Sequence, residues 1–294
     1  MAGKLTLVIS AIAGVLGMFQ SGFNLSSVNT PHPQIKKFLI DNFKGRYGVE
    51  LTDDQAEVHY SAIISVYLVG SIIGGITGGW LADRYGRKKV LLVVQAFNIL
   101  GKTALFYNHG FSGRIKLLSI LPNNMPCVII GGLCQALCQM VASYEILLGG
   151  RLIIGVTGGI MTTVVPIYMA EIAPARARGI LGALNNLTLI LGVVAGLTLG
   201  IQHLMGTREL WNWSLGLNVP MGAANAAFLA FSPESPKFLI LTKGRLQQGR
   251  QALLQLHGTN KVYLDMTYVS PRIFYSRALS SDMYYLLKSD VSHR

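Results

Sequence analysis

Charge is what this 294-residue chain has least of. Asp, Glu, Lys and Arg together make up 13% of it, against about a quarter in an ordinary soluble domain. With 51% hydrophobic residues and 33 glycines, that scarcity excludes a soluble domain and identifies an integral membrane protein. Cysteine is nearly as rare. Cys127, Cys134 and Cys138 fall within twelve residues of one another, which excludes a disulfide framework. Cys-x3-Cys in an apolar stretch without a second ligand pair reads as buried free thiols, not as a metal site. No P-loop, nucleophile elbow or catalytic dyad occurs, so neither an enzyme nor a cofactor is expected. The formal charge of +12 suggests nucleic acid at first sight. However, Lys and Arg sit mostly in short turns and in the C-terminal quarter, a distribution that fits membrane topology and a lipid bilayer better than a nucleic-acid face.

The long apolar runs are organised around one charged stretch, Asp83-Arg84-Tyr85-Gly86-Arg87-Lys88-Lys89. Before it, residues 59–81 contain no Asp, Glu, Lys or Arg, and from Val90 another apolar run begins. About 20 apolar residues suffice for an α-helix to cross a bilayer, so the stretch is a tight turn between spans two and three. Four of its seven residues are Lys or Arg, which places it on the cytoplasmic side. Span one, Leu5 to Phe23, is longer than the 7–15-residue apolar core of a signal peptide and runs into Gln20 and Asn24, so an uncleaved span with its N-terminus inside is expected. The net acidic segment 30–57 then belongs outside.

Glycines recur every fourth residue in span two (about 59–81: Gly70, Gly74, Gly78) and again in span five (about 180–202: Gly192, Gly196, Gly200). That spacing puts each set on one helix face, where small residues let two membrane helices approach closely. The matching stripes suggest an internal symmetry of three plus three helices. Span four runs from about Glu145 to Met169 and span six from about 211 to 232. Span three is interrupted: Val90–Gly101 meets Lys102, His109, Arg114 and Lys116, and apolar character resumes near Cys127. Two full spans here would turn every later basic loop outward. Joining Val90–Gly101 to Gly132–Val141 gives instead one charge-free run of spanning length, so 102–131 reads as an insertion, either a true extra loop or a retained intron. Residues 1–232 are therefore expected to form a six-helix bundle, 233–258 a partial cytoplasmic helical segment running as one helix through Leu256, and 259–294 a divergent, disordered tail.

Five stretches, in order and at matching topological places, resemble the facilitative glucose transporters, the sugar-porter family of the major facilitator superfamily. They are Gly17-Met18-Phe19-Gln20-Ser21-Gly22-Phe23-Asn24 through Asn29-Thr30-Pro31; Asp83 to Lys88; Arg151-Leu152-Ile153-Ile154-Gly155; Glu171-Ile172-Ala173-Pro174 through Arg178-Gly179; and Pro233-Glu234-Ser235-Pro236-Lys237. The resemblance implies an all-α fold, the six-transmembrane-helix N-terminal half of a major facilitator bundle. It also implies facilitated, uncoupled passage of a hexose-type sugar by alternating access, in a plasma-membrane protein. The family's second half has no counterpart here. A transport-dead truncated form, associating with a full-length transporter or a missing C-terminal half, is thus an alternative, and a proton-coupled sugar symporter is another.

By motif position the sugar contacts would be Gln20, Asn24 and Asn29 on span one, Thr162 on span four, and Asn185 and Asn186 on span five. Such side chains both donate and accept hydrogen bonds, as a polyol requires, and equally suit bonds between helices. Asp83, Arg84, Gly86, Arg87, Glu171, Arg178 and Glu234 match the family's intracellular gate; as solvated surface charge they would contribute little. Arg151 is a charge at membrane depth, a functional site by default unless its stem snorkels to the interface. Three positions depart from the family pattern. Asn186 and Leu197 stand where Gln is usual, and Ser21 where an aromatic residue is. Asn24 occupies the place of the carboxylate that proton-coupled members set near the span-four arginine.

Deleting 102–131 is expected to leave an uninterrupted third span and an unchanged topology beyond it. Reporter tags at 115 and at 175 check this, and a tag at 175 that reports outside contradicts the assignment.

Overall fold

The computed structural model describes residues 2–96 and 144–257, apart from 175, 202, 206 and 208–216. Among the described residues the chain is helical throughout, without strands. Span one is Ala2–Ser26, span two Asp53–Tyr85, span four Tyr144–Ile172 and span five Arg178–Leu199. Each contains a stretch long and apolar enough to cross a membrane. Span three is described over 87–96 and span six over Asn218–Phe231. The insertion expected at 102–131, the three cysteines and the tail 259–294 all lie outside the described residues.

Span two is the longest helix among the described residues. Its start is set by a reciprocal cap in which the Thr52 hydroxyl accepts from the Gln55 amide at 3.4 Å while the Gln55 side chain accepts from the Thr52 amide at 3.1 Å. Two orphan donors are satisfied at once. Its other end is Gly86, whose φ of 106° is closed to most side chains. Segment 30–57, expected only to lie outside, carries a helix of its own, His32–Tyr47. It buries Ile35 and Leu39 against Val28, Tyr60 and Ile63 and so caps one end of the bundle. His32 lies 3.0 Å from Glu57 and Lys36 3.3 Å from Asp53, pinning this helix to the start of span two. The end opposite, with residues 83–89, is here called the basic end.

Spans two and four pack along each other, and span one packs against spans five, six and four. Both glycine stripes lie in these seams. A Cβ on Gly74 would overlap the Val156 carbonyl, and one on Gly70 the Leu152 carbonyl; from the other side, Gly155 and Gly159 face the Tyr67 and Ser71 carbonyls. In the second seam Gly192 meets the Phe19 carbonyl and Gly22 that of Leu189. Exchanging spans one to three for spans four to six carries the two–four seam onto the five–one seam, as an internal repeat requires. Apolar side chains from spans one, three, four and six fill the space between, with Tyr168, Met161 and Met169 at the centre.

Two expectations are corrected. The segment after Pro236 is not one helix through Leu256. It is a π-helical turn, Phe238–Thr242, followed by a separate helix, Leu246–His257. Gly244 between them has φ 65°, a left-handed conformation that ends the first turn. Asn29 is not on span one either. The helix stops at Ser26, and Asn29 is exposed in the turn that leads to Pro31.

Because the seams are backbone against backbone, the contact atoms cannot swing aside. Gly74→Ala and Gly192→Ala are each expected to destabilise by about 1–3 kcal/mol, outweighing any gain in helix propensity. Gly79→Ala and Gly182→Ala, where a Cβ meets nothing within 4 Å, are expected to be neutral or slightly stabilising. Thermal unfolding in detergent separates the two pairs.

Candidate functional site

Two polar constellations stand out from the apolar bundle. The first is at the basic end, where Arg87 is held from three sides. Its Nη2 donates to Glu171 Oε1 at 3.2 Å and lies 2.9 Å from Asp83 Oδ1, while Nη1 donates to the Ala82 carbonyl at 3.2 Å. Nε approaches Glu171 Oε2 at 3.0 Å, an ion-pair contact outside hydrogen-bonding geometry. The Phe238 ring covers the guanidinium at 5.2 Å. Arg87 and Glu171 are buried, with side-chain exposures of 9% and 7%, whereas Asp83 is 72% exposed. The strong pair is therefore Arg87–Glu171, and Asp83 is its rim.

Glu171 is shared with the segment after span six. The Ser235 hydroxyl donates to Glu171 Oε2 at 2.5 Å and accepts from the Phe238 amide at 3.3 Å, so one side chain caps the following turn and closes the carboxylate's shell. Glu234 Oε1 accepts from the backbone amides of Lys88 at 2.9 Å and Ser235 at 3.0 Å. A Cβ on Gly86 would sit 2.6 Å from Glu234 Oε2, so close approach as well as φ requires glycine there. The Tyr168 hydroxyl completes the lock by donating to the Pro233 carbonyl at 2.7 Å. Of the seven residues expected at a gate, Asp83, Gly86, Arg87, Glu171 and Glu234 come together. Arg84 instead lies over the Trp80 ring at 5.3 Å on the surface, and Arg178 donates to the Ala173 carbonyl at 3.3 Å within its own turn. Ser235 was missed by sequence reasoning because a Ser before Pro signals only a helix start.

The second constellation lies among the helices. Gln20, Asn24 and Asn185 are buried at 1–2% exposure, while Thr162 and Asn186 are on the exposed surface of the bundle. Gln20 Nε2 donates to the Asn218 carbonyl at 3.2 Å, and its Oε1 is buried without a hydrogen-bond partner among the described residues. Both amide atoms of Asn185 are buried without a hydrogen-bond partner among the described residues, on the helix face that two turns later carries Gly192 against span one. The Thr162 hydroxyl donates back to the Gly159 carbonyl at 3.0 Å.

Arg151 does not snorkel. It is 5% exposed, donates to the Asn24 backbone carbonyl at 3.3 Å, and packs over the Tyr67 ring at 4.7 Å. Nε and Nη2 are buried with no hydrogen-bond partner among the described residues, and the guanidinium forms no ion pair there. Burying a charge in this way is strongly unfavourable without compensation. The ring face and the carbonyl are what the bundle supplies. No group of three or more His, Cys, Asp or Glu suited to a metal ion occurs among the described residues.

The family model described as "Sugar (and other) transporter" matches residues 9–113 and 110–270. The chain is 32% identical to "Facilitated glucose transporter protein 1" of Caenorhabditis elegans, over 88% of this chain and 46% of that protein. It is 29% identical to "Solute carrier family 2, facilitated glucose transporter member 3" of Homo sapiens, again over 88% of this chain and 46% of the relative. The chain thus spans about half the length of the curated relatives it matches. Among solved structures it is similar to the major facilitator proton:xylose symporter XylE bound to 6-bromo-6-deoxy-D-glucose, with TM-score 0.67 and 22% identity over 90% of this chain and 51% of that one. A partially occluded, inward-open XylE from E. coli aligns with TM-score 0.68 at 20% identity, over 93% and 60%. The fold is half of a major facilitator bundle, and the chain is a multi-pass membrane protein.

Removing one partner of a buried ion pair costs about 3–5 kcal/mol. Arg87→Ala is expected to lose that much, Ser235→Ala about 1–2 kcal/mol through one cap and one carboxylate bond, and Asp83→Ala less than about 1 kcal/mol. Unfolding midpoints of the three variants test this order, and an Asp83 variant as damaged as Arg87→Ala contradicts it.

Proposed function

The chain belongs to the sugar (and other) transporter family, and from that premise we propose that it forms one wall of a facilitative pathway for a hexose-type sugar. The relatives named above are glucose transporters, and a bromodeoxyglucose occupies one structural neighbour. In a two-bundle transporter the substrate lies near the midplane between the halves. Thr162 and Asn186 are the candidates on the free surface of this half. Gln20 and Asn185 are buried and have amide atoms without a partner among the described residues, each costing about 1–3 kcal/mol if left dry. The second wall would come from another six-helix bundle, in a longer form of this protein or in a partner chain. The basic end is assigned to the cytoplasm on the positive-inside rule, with the N-terminus on the same side and the plasma membrane as location. There the Arg87–Glu171–Ser235 lock would hold one access state and open in the other.

The observation that carries uncoupled transport is the contact of Arg151 with a backbone carbonyl of Asn24, not with a carboxylate. A proton carried across the membrane needs a group whose charge changes, and ionisable residues in spans mark that path. Asparagine does not titrate, and residues 5–26, 59–81 and 180–200 contain no Asp or Glu. Sugar flux is expected to follow the sugar gradient alone in the transporting form. Uphill accumulation under an imposed proton gradient would contradict this, and Asn24→Asp is the substitution expected to bring in pH dependence.

Alternating access rocks one bundle against another. The 294-residue chain reconstituted by itself is therefore expected to give no glucose uptake above empty liposomes. Uptake above that background refutes the one-wall reading.

A further inference from the structure

Asn225 of span six and Gln95 of span three are uncharged amides in apolar helices, and both are fully buried. With its amide oriented to satisfy every neighbour, Asn225 Oδ1 accepts from the Gly17 backbone amide at 2.7 Å and from Gln95 Nε2 at 2.9 Å, and Nδ2 donates to the Ala13 carbonyl at 3.3 Å. Ala13 and Gly17 are four residues apart, so their carbonyl and amide are the two halves of one helical rung. One side chain thus grips both halves of a rung in span one and is itself held by span three. Glycine at 17 leaves room for this contact: a Cβ there would meet the Asn225 amide at 2.9 Å and the Met161 methyl at 2.5 Å. Two turns earlier on the same face of span six, the Asn218 carbonyl takes the Gln20 side chain at 3.2 Å. Span six therefore holds span one at two heights, in antiparallel register, immediately below Gln20 and Asn24.

We propose that Asn225 is a positioning residue. With Gln95 it fixes the rotation and height of span one against spans three and six, and so sets where Gln20 and Asn24 stand. Its importance for sugar rests on the functional reading above; the clamp itself does not. Apolar packing against spans three and six alone does not specify these positions, since a Leu-sized group would fill the volume without fixing a hydrogen-bonding register. A hydrogen-bonded amide in a low-dielectric interior is directional and unfavourable to leave unmade.

The test is hydrogen exchange of the 294-residue chain in lipid nanodiscs, read without sugar so that failure of the sugar reading, which uptake reports, stays separate. Asn225→Leu is expected to speed exchange in residues 13–24 about tenfold, the factor that one or two hydrogen bonds of ordinary net strength imply. Spans two and four should stay within about twofold. Gln95→Leu should give a smaller increase in the same segment. The swap Asn225→Gln with Gln95→Asn, which keeps the amide pair and the total volume, should return exchange to the wild-type rate. An even increase across all spans, no increase in 13–24, or a swap that fails to restore protection would each overturn the clamp. Should Asn225→Leu not fold, Gln95→Leu and the swap decide the matter by the same criteria.

Discussion

The bundle depends on two seams in which helix backbone meets helix backbone. In a membrane, lipid tails are as apolar as leucine, so helices gain little from hiding apolar surface in one another and associate through close packing and hydrogen bonds. Gly70, Gly74, Gly155 and Gly159 make the seam between spans two and four, and Gly22 and Gly192 that between spans one and five. Hydroxyls reinforce the second seam, with Ser26 donating to the Val193 carbonyl at 2.8 Å and Thr30 to that of Leu197 at 3.0 Å. The seams correspond under exchange of the first three spans for the next three. Each therefore joins a helix of one repeat to a helix of the other.

The polar groups act on this rigid frame in different ways. Arg87 and Glu171 form a desolvated pair whose partners sit on the turn after span two and at the end of span four, and Ser235 ties the same carboxylate to the segment after span six. Three separated parts of the chain are thus joined at one carboxylate, an arrangement with two discrete outcomes, closed or broken. Arg151 differs in kind. Its charge faces a ring and a carbonyl dipole, with no carboxylate in an ion pair with it among the described residues. Asn225 and Gln95 carry no charge and serve to fix span one, the helix that touches spans four, five and six.

Much of this was legible in the residues and some was not. The glycine seams were visible because four-residue spacing identifies a helix face whatever that face meets. The identity of the facing helix was not, since periodicity says nothing about partners. Arg87, Glu171 and Glu234 were marked by charge at the ends of apolar runs. Ser235, which completes their shell, was hidden because a serine before proline already has a local role. Asn225 and Gln95 carried a signal, polar side chains in apolar helices, but only the packing shows that Gln95 holds Asn225 and that Asn225 meets one rung of span one. Gly244 splits the expected helix after span six because the left-handed turn it adopts is one glycine choice among several that sequence allows. Arg84 and Arg178, alike in sequence to their gate neighbours, point away from Glu171, a matter of side-chain direction that spacing does not determine.

The central claim is that the surface carrying Asn186 and Thr162 lines a water-filled sugar path and does not face lipid. The most direct measurement is labelling of an Asn186→Cys variant of the transporting, two-bundle form, in a background without native cysteines, by a membrane-impermeant thiol reagent, with Leu191→Cys on a different side of the same helix as reference. The expected result is rapid labelling at 186 that glucose slows, and little labelling at 191. Labelling at 186 that is absent, or that proceeds equally with and without glucose, would contradict the claim.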